Sequence, residues 1–283
     1  MVMDLMQGDL FDYIVKRKRL SERDSCIIMH QLLSAVDFLH TISVIHRDIK
    51  PENILISDDG NGNLRVKLAD FGLAKVLESW TINSTPCGTS FYIAPEIIRG
   101  IEANGARPLC TNREEVKFVD IWSCGVVLFV MLAGRPPFYG QVKTRDERRA
   151  LLAKIDRGLL FPDAQWAGIS DEAKDLCSKL LCHDPALRIG AKEALKHPFF
   201  TKYDVTQGAA AAAASAAAPG ADDEAVTDLA AQLNAMTVDQ RADLGDDDEH
   251  TSYKQAQVRN ELAAGHGGAK VKMSTAGIPA RGK

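Results

Sequence analysis

Two short runs of strand-forming residues, Asn53-Ile54-Leu55-Ile56 and Leu64-Arg65-Val66-Lys67-Leu68, flank Asp58-Asp59-Gly60-Asn61-Gly62, a loop rich in turn formers. Strand formers on both sides of an Asp/Gly/Asn loop predict an antiparallel hairpin. A hairpin brings the chain back to where it set out, so residues just before the first run meet residues just after the second. Asp48 and Asn53 lie on one side and Asp70 on the other. The hairpin therefore predicts that these three polar side chains gather at one edge; by themselves they would read as turn residues on a solvated face.

The remaining pattern is helical. Between Ser21 and His40, residues Ile27, Ile28, Leu32, Ala35, Val36 and Leu39 recur at helical spacing behind Ser21, a residue type that caps helix N-termini. Asp120 to Ala133 is apolar nearly all round and is closed by Gly134 and Pro136, which predicts a buried central helix. A Ser-Asp-Glu cap signal opens a helix from Ser170 to Leu181, and Glu193 to His197 is expected to be a helix ending before Pro198.

Among the 283 residues, 46% are hydrophobic and 25% charged, enough for one sizeable core. A formal net charge of −4 supplies no basic field for nucleic acid or an anionic membrane surface. The six cysteines, Cys26, Cys87, Cys110, Cys124, Cys177 and Cys182, show no C-x-x-C spacing and several sit in apolar stretches, so they are expected to be reduced thiols in a cytoplasmic or nuclear protein. The start lacks the pattern of a signal peptide, and the apolar run from Val126 to Ala133 is too short to span a bilayer. After Tyr203 an alanine run and the acidic stretch Asp246 to Glu249 predict a disordered tail over 204–283, with one amphipathic segment carrying Val226, Leu229, Leu233 and Met236.

Chemistry concentrates in three ordered segments: His46-Arg47-Asp48-Ile49-Lys50-Pro51-Glu52-Asn53, Asp70-Phe71-Gly72 and Ala94-Pro95-Glu96. Together they resemble the signature set of eukaryotic protein kinases. The resemblance implies a protein-kinase-like α+β fold over residues 1–203, here a mainly α-helical C-terminal lobe with a small β-hairpin and the N-terminal lobe absent. It implies transfer of the ATP γ-phosphate with Mg2+. Asp48 would take the substrate hydroxyl proton, Lys50 would contact the transferring phosphate, and Asn53 and Asp70 would hold the metal.

The same resemblance assigns further positions. Lys50 and Thr89 match the serine/threonine branch, and Arg47 marks a kinase whose activation segment is ordered by a phosphate, with Thr85 as the site modified, for example by an upstream activating kinase. Glu96 and Arg188 look like the family's buried ion pair, Asp120 like the anchor of the catalytic loop, and His46 and Phe71 like members of its hydrophobic spine. Val2 to Phe11 resembles the hinge: Met3 would be the gatekeeper, Asp4 and Met6 would bind adenine over Leu55, and Asp9 would lie near the ribose, the bland reading of Asp9 being a helix N-terminus with an acidic first turn. Glu52 and Asp9 would face the substrate's N-terminal side, which implies basic residues near the modified Ser or Thr.

Leu10 to Ile14, Gly134 to Phe138, Ala173 to Leu176 and His197 to Phe200 look like the calcium/calmodulin-dependent kinase group, checkpoint kinases included. No G-x-G-x-x-G strand-loop and no V-A-I-K-like lysine strand occurs in the sequence. On that account the chain alone is expected to turn over poorly, and a non-catalytic kinase-like binding or scaffold module is the alternative reading.

Overall fold

The computed structural model describes residues 6–60, 63–72, 74–76, 91–104 and 113–203, and all of them belong to one unit that runs from Met1 to Ala242. Met3, Asp4, Thr85, Thr89 and the segment 204–283 lie outside the described residues.

The expected hairpin is present. Strand β3 (Ile54–Asp58) pairs antiparallel with β4 (Leu64–Leu68) in a register that sets Ile54 opposite Leu68. One step further out the Ala69 N–H donates to the Asn53 carbonyl at 2.9 Å, so the ladder continues to the polar edge itself. A two-residue strand, β1 (Gly8–Asp9), adds to the other side of β3, and the Gln7 side chain extends that pairing by exchanging both of its amide bonds with the Asp58 backbone. A second small sheet joins β2 (Val44–Ile45) to β5 (Lys75–Val76), which flank the two halves of the polar edge. None of these three two-residue strands is long enough to show a period in sequence.

Helix α1 (Leu10–Arg17) starts at Asp9, whose Oδ1 accepts the Asp12 N–H. The long α2 (Glu22–Thr41) is capped by Ser21 as expected and lies against β4. There Gln31 acts as a surrogate strand partner, with Nε2 donating to the Leu64 carbonyl at 2.8 Å and Oε1 accepting from the Val66 N–H at 2.9 Å. The polar side chain satisfies an open sheet edge that an apolar residue would leave unpaired.

The remaining helices are α3 (Pro95–Asn104), α4 (Phe118–Ala133), α5 (Arg145–Asp156), α6 (Asp163–Trp166), α7 (Asp171–Leu180), α8 (Ala191–Ala194) and α9 (Pro198–Thr201). The helix expected over 193–197 is displaced: it covers Ala191–Ala194, and residues 195–197 form a turn before α9. Helix α8 ends at Ala194, and the His197 Nδ1 accepts the Phe199 N–H so that Pro198 opens α9 at a position where its missing N–H costs nothing. His197 Nε2 then donates to Asp175 Oδ2 at 2.8 Å, which ties α9 to α7.

Helix α4 is the core, with Ile121, Trp122, Val126, Val127, Leu128, Met131 and Leu132 buried. With the preceding turn it forms a helical stretch, Glu115–Ala133, long and apolar enough to cross a membrane by composition, contrary to what the shorter run from Val126 suggests, yet 78% of it is buried inside the protein. Its apolar face is covered by α2 and α7. Cys26, Cys124 and Cys177 are unpaired and buried, and burial pushes the Cys26 thiol up to about 12.

Where α4 crosses α7, a Cβ on Gly125 would stand 2.9 Å from Leu180 Cβ and 2.9 Å from Leu181 Cγ. In a helix Ala is ordinarily favoured over Gly by about 1 kcal/mol, but overpacking costs about 1–3 kcal/mol. Both neighbours are themselves buried, so the clash wins. Gly125→Ala is expected to destabilise the protein by about 1–2 kcal/mol in urea unfolding, against the sign that helix propensity alone gives.

Candidate active site

Catalytic-type side chains converge where the hairpin ends meet. The loop from His46 to Lys50 runs into a turn of 3-10 helix, Pro51–Asn53, with Pro51 at its first position. This turn carries the Asn53 side chain back over the loop. Asn53 Nδ2 donates to the Asp48 carbonyl and to Asp48 Oδ2, both at 2.8 Å, and Lys50 Nζ reaches the same Oδ2 at 2.9 Å. Asp48 and Asn53 are nearly buried, at 8% and 7% exposure. Two donors on one oxygen fix the plane of the Asp48 carboxylate. Because the Asn53 amide nitrogen is spent on Asp48, its carbonyl oxygen is the end available to a cation.

Across the edge Asp70 is exposed, with a left-handed backbone of φ 62°, and its Oδ1 accepts the Gly72 N–H at 3.2 Å. A Cβ at Gly72 would itself lie 3.2 Å from that oxygen, so glycine leaves the carboxylate room to turn. His46 couples the two halves. Its Nε2 meets the Ala69 carbonyl at 3.1 Å and its Nδ1 accepts the Asp48 N–H at 3.3 Å, an arrangement that defines the neutral tautomer with the proton on Nε2. Phe71 packs edge-on against the same ring, 5.0 Å between centroids.

A buried carboxylate holds this loop in place. Asp120, 1% exposed on α4, accepts the His46 N–H at 3.0 Å and the Arg47 N–H at 2.8 Å. Arg47 has φ 71°, a conformation that non-glycine residues keep only when the surroundings over-determine it. Burial works to raise the Asp120 pKa, but the hydrogen bond and electrostatic attraction of His40, with the hydrogen bond from the Arg47 N–H, outweigh it and hold the carboxyl below its ordinary range. His40, whose Nε2 lies 2.9 Å from Asp120 Oδ2, belongs to no motif found in the sequence. Only its place in the last turn of an apolar helix could have drawn notice.

A second buried pair ties α3 to the distal helices. Arg188 bonds both Glu96 oxygens, at 2.8 and 2.9 Å, and also the Phe118 and Cys182 carbonyls. Glu52 contrasts with it, because its Oε2 is buried without a hydrogen-bond partner among the described residues. Burial raises the Glu52 pKa; Lys50 opposes that, while Asp48 and Asp9 add to it. The structure brings Asp48, Lys50, Asn53, Glu52 and Asp70 to one place, with Leu55 half-buried opposite Asp9 in the β1–β3 pairing. Asp9 spends one carboxylate oxygen as the α1 cap, in keeping with its bland reading as a helix N-terminus. Met6 precedes the strand, outside any regular element.

The helical architecture and this constellation define a protein kinase domain. The family model for the protein kinase domain matches residues 1–200, and the chain belongs to that family, whose members use ATP with a divalent metal. It is 40% identical over 214 residues to the liver/testis phosphorylase b kinase gamma catalytic chain of Mus musculus, covering 73% of this chain and 48% of the relative. It is 38% identical over 200 residues to myosin light chain kinase A of Dictyostelium discoideum, covering 70% and 62%. The chain thus spans about half to three-fifths of the length of these curated relatives. The Rad53 kinase domain, solved with its SCD2 segment and AMPPNP, is similar at a TM-score of 0.54 and 34% identity, covering 71% of this chain and 68% of that one. These are serine/threonine kinases of the calcium/calmodulin-dependent and checkpoint groups, in line with the resemblance read from the sequence.

Breaking a buried ion pair strands a charge and costs about 3–5 kcal/mol, whereas removing both partners together is far milder. Arg188→Met is expected to fall in that range by denaturant unfolding. Glu96→Gln/Arg188→Met should recover a large part of the loss, a coupling that a double-mutant cycle reads directly.

Proposed function

We propose that this protein transfers the γ-phosphate of ATP to serine or threonine side chains of protein substrates, with Asp48 as the group that takes the hydroxyl proton. The observation that carries the reading is the double clamp of Lys50 and Asn53 on Asp48 Oδ2, which orients the carboxylate. Its other oxygen, Oδ1, receives the proton as the substrate oxygen bonds to phosphorus and the bond from phosphorus to the ADP oxygen breaks. Lys50 sits beside Asp48 and supplies positive charge to the phosphoryl oxygens. The Asn53 carbonyl oxygen and the exposed Asp70 carboxylate are hard oxygen donors set on the two halves of one sheet edge, a set that fits Mg2+ completed by phosphate and water oxygens. Bound there, the ion offsets charge that develops on the phosphates.

Glu52 supports a preference for basic substrates. A carboxylate oxygen that is buried and unpartnered gains from receiving a guanidinium or ammonium, and Asp9 adds to the negative field around it. Thr85 is the proposed activating site, modified by an upstream kinase or in trans, with Arg47 as partner of the phosphate.

In the full-length protein Asp48→Asn is expected to lower turnover of a Ser/Thr peptide about 10²- to 10⁴-fold with little change in melting temperature. Retained turnover in that variant would refute the reading. Glu52→Gln should raise KM about tenfold or more for arginine-containing peptides, with little effect on peptides that lack them, as read on a peptide array. Mass spectrometry of active protein should find phosphate on Thr85, and Thr85→Ala should be impaired.

A further inference from the structure

Strand β1 is very short, and its register sets Gly8 opposite Ile56 and Asp9 opposite Leu55. Continued outward, the same register would set the backbone of Met6 against that of Asp58. The backbone pairing stops before that point. The Gln7 N–H donates to the Ile56 carbonyl at 3.2 Å, and the Gln7 side chain then takes the place of the next backbone partner. Its Nε2 donates to the Asp58 carbonyl at 3.0 Å, and its Oε1 accepts the Asp58 N–H at 2.9 Å. A primary amide offers the same donor and acceptor as a peptide group, so the edge of β3 is satisfied and the Met6 backbone stays out of the ladder.

The Asp58 side chain is held as firmly as its backbone. Oδ1 accepts the Gly60 N–H at 2.9 Å, while Oδ2 accepts the Tyr13 O–H at 2.9 Å and lies 3.4 Å from the Arg17 guanidinium. Arg17 also covers the Tyr13 ring, 3.6 Å from its centroid. Burial and the bond to Asp58 push the Tyr13 hydroxyl up to about 12, so it remains a donor at neutral pH. The exposed ion pair by itself contributes little, which leaves the holding to the hydroxyl and the amides. One residue at the tip of β3 thus ties together the hairpin, β1 and α1.

We propose that Gln7 and Asp58 are positioning residues for the nucleotide. They fix the segment entering β1 on the hairpin by side-chain bonds, and so keep the peptide groups of Met6 available to the base. The edge of adenine carries a ring-nitrogen acceptor and an amino donor, which a peptide N–H and C=O complement. This inference deepens the function proposed above and rests on its reading of an ATP site, with the base at Met6 over Leu55.

Gln7 is exposed, and Gln7→Met keeps the reach of the side chain while removing both amide bonds. In the full-length protein the Kd of a fluorescent ATP analogue is expected to rise about five- to twentyfold in Gln7→Met and Asp58→Ala, and about threefold in Tyr13→Phe. Asp58→Asn retains oxygen acceptance for Tyr13 or Gly60 and should stay within about threefold of wild type. In peptide phosphorylation the loss should fall on KM for ATP, with kcat and the peptide KM within about twofold, the pattern of binding equally present in the ground and transition states.

An analogue bound as tightly by Gln7→Met and Asp58→Ala as by the wild type would overturn the positioning role and leave the phosphotransfer reading standing. So would a fall in kcat as large as the rise in KM, or a weaker affinity that merely tracks a lowered melting temperature, since both mark general structural damage. A wild-type protein that binds no nucleotide would sink both readings together.

Discussion

A carboxylate at the bottom of an apolar helix is the constraint around which this protein is organised. Burying Asp120 among Ile121, Trp122 and Cys124 is costly unless every lone pair that faces the protein is met. Three donors from two other parts of the chain meet it: His40, His46 and Arg47. The penalty for leaving the charge unmet is what makes the loop geometry obligatory. The strained Arg47 backbone is held in place by the same bonds. Asp48 inherits its position from this anchoring and its orientation from Lys50 and Asn53, so the chemistry of the site begins two layers beneath it.

The same logic appears in the ion pair of Arg188 with Glu96. Four acceptors surround one guanidinium, and they come from α3, from the start of α4 and from the turn after α7. Its position 5.2 Å from the Trp122 ring adds a favourable cation–π contact in the core. A charge network of this kind contributes little net stability over an apolar core, but it penalises every arrangement that leaves one member unpaired. It therefore specifies how α3 meets the helical body. Glu52 departs from this logic, since its Oε2, beside the site, is buried without a hydrogen-bond partner among the described residues. Its unsatisfied state is intelligible when a cationic ligand completes it.

Much of this is legible in the sequence because the signals are local. Ser21 and Ser170 announce helix starts through side-chain oxygens that reach only three residues on. Gly134 stops α4 through its own left-handed backbone. The hairpin is written in turn residues between strand formers, and closure of the hairpin alone explains why Asn53 and Asp70 share an edge. The two-residue strands β1, β2 and β5 are hidden because their partners lie far along the chain and their length shows no period. The early end of α8 at Ala194 escapes a reading by periodicity because the turn that follows is closed by His197, which makes its own cap and draws Asp175 from another helix.

The sequence by itself determined the family, the polar cluster at the hairpin ends and the helices that frame it, since those rest on residue types at fixed short spacings. Only the tertiary structure decided which side chains are partners across long separations. Gln31 completes the edge of β4, His40 completes Asp120, and Glu52 Oε2 is left without a partner among the described residues. Such roles depend on distance and burial in three dimensions, where a buried oxygen about 3 Å from a donor is satisfied and the same oxygen a little further away is not.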